Sequence, residues 1–336
     1  DFCLSRGLGD VYKRQLHNIS QEIYNRLAMQ LFAKIPIPVY KLLLIAATAV
    51  WGVSFVVMKD VVEVLPPAWL LGIRFTLAGI IIAFFLRKQI ARIFSLKVLA
   101  MGIVLGALDF LAFLTQTVGL QHTTPGINAF LTATYCVIVP FVWWIVGRKR
   151  PSVFNIGAAL IAILGIWFVS VSSSSVGFSL GLGEGLTLCC AFFFAVHIVT
   201  VSKFAGYANV LVLTAIQFLS EGFFGLILGA VTEPVPTLEV FTPDIIGQLA
   251  FLIIFASVIC FGIQNISLAY VPPAQASLFL SLESVFGVVF SVLLYGEQMT
   301  LRLVVGFILI FIAILISELF PLKRKSPKEK LESKEA

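Results

Sequence analysis

The chain has 336 residues, 60% of them hydrophobic and only 12% charged, with a net charge of +6 and a mean hydropathy of +1.04. Soluble domains carry about 25% charged residues, so this composition excludes a soluble enzyme or regulator and indicates an all-α polytopic protein whose main partner is the lipid bilayer. The basic residues lie in short clusters between apolar runs, with no face large enough to grip a phosphate backbone, which argues against a nucleic-acid partner.

In chain order, "DFCLSRGLGDVYKRQ" (1–15) has no initiator Met and no apolar core, and resembles an artificial leader rather than a signal peptide. Met29 is a candidate native start. Apolar runs of about 20 residues, the length needed to cross some 30 Å of hydrocarbon, fall at 40–58, 68–86, 97–119, 126–146 and 152–171. Five more fall at 183–204, 209–231, 245–268, 273–295 and 301–320. The expected organisation is a cytoplasmic segment (1–39), a five-helix unit (40–171), a polar linker (172–182), a second five-helix unit (183–320) and a basic tail (321–336).

All of the 23 Lys and Arg except Lys59, Arg74 and Arg302 fall on one side of this arrangement. Excess Lys and Arg mark cytoplasmic segments, so both termini are expected in the cytoplasm and the chain in the cell membrane. Cys136, Cys189, Cys190 and Cys260 sit inside apolar runs, where cysteine acts as a small hydrophobe. No disulfide framework, metal site or cofactor is expected from their spacing.

The two halves repeat. An offset of 143 pairs Trp51 with Phe194, Ser54 with His197, Arg74 with Gln217 and Phe75 with Phe218. After a longer loop an offset of 149 pairs Gln116 with Asn265, Leu131 with Leu280, Thr132 with Ser281 and Gly147 with Gly296. Because five spans is an odd number, the second unit enters the membrane with opposite orientation. Inverted repeats are a signature of secondary transporters, with sites near the midplane between the halves.

The segments "AVWGVSFVVMKD", "LLGIRFTLAG" and "SLAYVPPAQASLFLSLESVFGVVFSVLLYGEQMTLRLVVGFILI" resemble the drug/metabolite transporter superfamily, EamA type. The resemblance covers about residues 40–320, and the layout of ten helices in two repeats agrees with the one read from the hydropathy. It implies a permease for a small organic solute such as an amino acid or related metabolite, with export the expected direction. Two positions depart from the family pattern: Ser284 follows Glu283 where Pro is usual, and Arg148 follows Gly147 where an acid is usual.

Arg74 is the one charge in "LLGIRFTLAGIIIAFFL". A charge facing lipid costs from about 3 to above 10 kcal/mol by different estimates. Two reasons for it stay open: a forked donor for a solute carboxylate or phosphate, or a structural role, either paired with Asp109 or with its head near the cytoplasmic interface. Glu283 and Asp109 are candidates for proton coupling, since burial favours the protonated acid; a hydrogen-bonded structural acid is the alternative. Glu221 shares a helix face with Gln217. His197 lacks a second ligand at metal spacing and reads either as a pathway residue or as a packed histidine. Trp51, Ser54, Gln116, Asn128, Thr132, Tyr135, Gln217, Asn265 and Ser281 complete the candidate substrate-binding set; each could instead bind helices together, at about 0.6 kcal/mol per polar contact.

No G-x-S-x-G, H-E-x-x-H or paired catalytic aspartates occur, and "GLGEG" (181–185) lacks the Lys-Ser/Thr of a phosphate loop. The reading is therefore a permease rather than an enzyme, with a channel or scaffold as the alternative.

Overall fold

The computed structural model describes residues 36–147, 150–170, 181–204, 207–267 and 279–320. The expected leader, most of the 172–182 linker and the basic tail lie outside the described residues.

Prolines and hydroxyl side chains set where helices begin. Pro66 and Pro67 follow α1 (Ile37–Val64) and open α2 (Pro67–Ile93), because proline is disfavoured in a helix interior but preorganised for a first turn. Ser95 caps α3 (Leu96–Gln121) by accepting from the Val98 N–H. Thr124 does the same for α4 (Pro125–Ala133) with the Ile127 N–H. The fourth span breaks at Thr134 and resumes as α5 (Tyr135–Gly147); α6 (Val153–Ser170) completes the first half.

The second half begins with α7 (Leu182–Phe204) and α8 (Val210–Thr232). The eighth span is composite: α9 (Pro243–Ala250), a π-helical segment (Phe251–Ile259) and α10 (Cys260–Ser267). α11 (Leu282–Phe290) runs into a second π segment (Ser291–Tyr295), and α12 (Leu301–Leu319) follows. Eight described spans are long and apolar enough to cross a membrane. The fifth and ninth expected spans are represented by the shorter apolar helices Val153–Val169 and Leu282–Tyr295, the latter beginning beside residues outside the description. Phe84, Phe85, Leu160, Ile163 and Leu293 are exposed on the outside of the bundle, where lipid rather than water would meet them.

Packing follows the repeat. The repeat correspondence pairs α2 with α8 and α6 with α12, and each of these pairs is in extensive contact. It also relates α3 against α7 to the eighth span against α1, and α4 and α5 against α7 to α11 against α1; all of these contacts are present. The α2–α8 seam is backbone against backbone. A Cβ at Gly225 would lie 2.6 Å from the Gly72 nitrogen, so glycine is required for this approach. Phe75, fully buried beside the seam, packs on Phe113 and Phe218.

Candidate functional site

A cavity of about 710 Å³ lies between the halves, within the size range of small-molecule sites. Its walls carry Trp51, Ser54, Arg74, Asp109, Gln116, Thr132, Tyr135, His197, Gln217 and Glu283 from the sequence-predicted set. It runs to Val201, Ser202 and Val210, at the end of the bundle where α7 connects to α8.

Repeat mates converge here in pairs: Trp51 with Phe194, Ser54 with His197, and Arg74 with Gln217. Two of the predicted residues do not reach the lining. Asn128 is fully buried, and its Nδ2 donates to the Gln116 carbonyl and to Thr187 Oγ1 at 2.8 Å, so it ties α4 to α3 and α7. Ser281 is buried at the break preceding α11, one residue past the lining residue Leu280. Asn265 lies on α10, but its side chain falls outside the description; Gln264 lines the cavity beside it. The sequence reading missed Phe55, Met58, Phe113, Phe194 and Phe261, whose apolar identity resembles that of core residues at every other position.

The eighth span's π segment is a local source of polarity. The wider turn, which marks many functional sites, leaves the Ala256 carbonyl to accept from Trp51 Nε1 at 2.8 Å. It also sets Ser257 Oγ 3.0 Å from Arg74 Nε. Arg74 is 2% exposed, its Nη1 reaches Met58 Sδ at 3.3 Å, and its guanidinium lies over the rings of Phe75 and Phe113. The expected alternative, a direct ion pair with Asp109, is not formed: Asp109 Oδ2 instead accepts from Gln217 Nε2 at 2.6 Å, and Oδ1 lies 3.8 Å from His197 Nδ1. The site therefore presents a cation with neutral acceptors, held rigidly by π–cation and packing contacts.

Gln116 Nε2 donates to Thr132 Oγ1 at 3.1 Å, joining α3 to α4 on the same wall. Glu283 faces the cavity with no hydrogen bond recorded among the described residues.

At the opposite end the bundle is sealed by polar contacts. Lys59 Nζ, buried, donates to the carbonyls of Leu120, Gln121 and Thr123 at 2.8, 3.3 and 3.2 Å. Thr123 Oγ1 donates to Glu184. Glu297, turned back by Gly296 at φ 75°, accepts from Thr124 Oγ1, Ser291 Oγ and the Gly126 N–H, placing a carboxylate on the N-terminus of α4.

A duplicated, all-helical membrane bundle closed around a central amphipathic cavity defines a polytopic membrane protein with the architecture of a transporter. The EamA-like transporter family model matches residues 39–171 and again 181–319. An uncharacterized transporter from Archaeoglobus fulgidus is 30% identical over 270 residues, covering 80% of this chain and 82% of the relative. A chloroplastic WAT1-related protein of Arabidopsis thaliana is 25% identical over 79% of this chain and 66% of its own. The uncharacterized transporter YoaV of Bacillus subtilis is 21% identical over 84% and 97%. A crystal structure of 16% identity superposes with a TM-score of 0.62 over 86% of this chain and 99% of that one, a likeness of fold alone. The chain belongs to the EamA-like transporter family and is a multi-pass membrane transporter.

Proposed function

We propose that the protein is a secondary carrier that moves a small carboxylate-bearing amphipathic solute, such as an amino acid or related metabolite, by alternating access, and that it exports this solute across the cell membrane. The observation that carries the reading is the state of Arg74. Its recorded acceptors, Ser257 and Met58, are neutral, so a guanidinium on the cavity wall keeps N–H donors for an anion. A planar fork of donors matches a carboxylate in two-point geometry. Glu283 offers the same cavity an acid for an ammonium group, while Trp51, Phe113, Phe194 and Phe261 give the solute's apolar part a surface.

Alternating access supplies a role for the sealed end. With both termini cytoplasmic, the cavity reaches the cytoplasmic end at Val201 and Ser202, and Lys59 and Glu297 close the outer end. Loading from the cytoplasm would then precede a rocking of the halves that breaks the outer contacts and forms their counterparts inside.

The test is reconstitution in liposomes with a panel of labelled amino acids and small carboxylates, read as counterflow. Saturable counterflow that Arg74→Gln abolishes in a folded protein supports the carrier reading. Flux that does not saturate indicates a channel, and no flux by any solute of the panel sinks the carboxylate assignment.

A further inference from the structure

Glu221 is the one charged residue of α8, and neither the cavity nor the solute contacts proposed above use it. It is 0% exposed, and among the described residues no N–H or O–H reaches either of its carboxyl oxygens. Glu221 stands one turn past Gln217, which donates to Asp109 at 2.6 Å, so its carboxyl and that of Asp109, itself 1% exposed, share one buried α3–α8 contact. Gly106 explains the approach. A Cβ there would lie 2.7 Å from the Gln217 carbonyl and 2.7 Å from Ser220 Cβ, so α3 and α8 touch one turn before Asp109.

Two carboxylates are acceptors only, and facing each other in a dry bundle they repel. One proton converts the same contact into an O–H···O bond. It also balances charge, because among the described residues Arg74 is the one Lys or Arg that lines the cavity, against two acids. Of the groups on neighbouring elements, His197 of α7 lies 3.8 Å from Asp109, while Cys260 of α10 and Glu283 of α11 add no positive charge. Lys59, Glu184 and Lys203 are engaged elsewhere, by the Leu120 carbonyl, Thr123 and the Val146 carbonyl.

We propose that Glu221 and Asp109 hold one proton between them across the α3–α8 contact, and that this pair is the coupling-ion site of the carrier. Asp109 lines the cavity and Glu221 does not, so the proton enters and leaves by the Asp109 edge, from cavity water or from His197. No other bond changes. A solute carboxylate at Arg74 draws the guanidinium's field away from the acids and so favours proton uptake; by reciprocity the proton favours the solute, so the two cross together, and solute leaving down its own outward gradient carries a proton out with it. The coupling role rests on the carrier reading of the site, whereas the shared proton does not.

Two measurements separate these parts. Infrared difference spectra of the full chain in nanodiscs report protonated carboxyls directly. With Glu283→Gln as background, so that the cavity acid is silent, a protonated-carboxyl band is expected at neutral pH and is lost on adding Glu221→Gln. Identical spectra overturn the shared proton. Should Glu221→Gln fail to fold, Asp109→Asn in the same background is expected to shift the band, and an unshifted band overturns the pair.

The transport arm uses liposomes with an imposed pH gradient and the panel of labelled amino acids and carboxylates. One proton per solute lets one pH unit support about a tenfold solute gradient. Glu221→Gln should keep counterflow and lose that accumulation. Accumulation equal to wild type in Glu221→Gln overturns the coupling role. Absence of counterflow in wild type removes the carrier reading and with it the coupling role, and leaves the infrared result to decide the proton.

Discussion

Gln217 Nε2 donates to Asp109 Oδ2 at 2.6 Å, and Gln217 stands at the position in the second repeat that Arg74 occupies in the first. The repeat brings a cation and an amide to one cavity, and the amide takes the acid. That division is what leaves Arg74 without a direct ionic partner among the described residues.

Removing the amide should reverse it. Gln217→Leu strips Asp109 of its donor, and a lost hydrogen bond to a charged group costs about 1.5–3 kcal/mol. The expected outcome is a lower Tm in detergent together with weaker solute binding, because Asp109 becomes free to turn to Arg74. A variant with unchanged affinity would show that the amide is not what keeps the two apart.

Arg74→Lys should not rescue the loss expected for Arg74→Gln. An ammonium keeps the charge but loses the fork and the stacking on Phe75 and Phe113. Solute affinity is expected to fall by about tenfold or more, the equivalent of one charged hydrogen bond. Equilibrium binding of the transported solute to the purified variant measures this, and wild-type affinity in Arg74→Lys would reduce the role of Arg74 to bulk charge.

Lys59→Met removes three donor contacts at the sealed end. The state in which that end is closed should lose about 1.5–3 kcal/mol, shifting the population toward the opposite-facing form. In a protein whose native cysteines are replaced, thiol labelling of Ser54→Cys from the outside should rise. Unaltered labelling would place the closure elsewhere, with Glu297 the next contact to remove.

Asn128→Ala provides the contrast. Its amide joins three helices and does not line the cavity, so Tm should drop by the equivalent of about 1 kcal/mol while solute affinity stays at the wild-type value. A specific loss of affinity would put Asn128 within reach of the solute in another state of the cycle.

Much of the architecture was legible because hydrocarbon imposes it. Every span must satisfy its own backbone and expose apolar side chains, so length and hydropathy reveal the helices, and their odd number per repeat reveals the inversion. The repeat offsets went further, bringing out pairs such as Ser54 with His197 that line one cavity. The four-residue spacing of Gly102 and Gly106 is the pattern of a close-packed helix face, and added Cβ atoms there would strike Ile216 and Gln217.

Direction within a helix was less legible. Asn128, Thr132 and Gln116 are all polar and all inside spans, yet only the last two face the cavity, because a few tens of degrees of rotation separate a pathway residue from an interhelical tie. Aromatic walls such as Phe113 and Phe261 were hidden for a related reason: an apolar side chain against lipid, core or solute leaves the same mark on composition.

The sequence by itself determined the membrane, the helices, the duplication and the short set of intramembrane charges, since each follows from local transfer energies or periodicity. Only the tertiary structure decided how those charges divide. Asp109 could have met Arg74 at the end of either side chain's reach; the approach of α3 to α8 at Gly106 brought it to the Gln217 amide instead, because helix contact distance, not sequence distance, selects the partner of a buried charge.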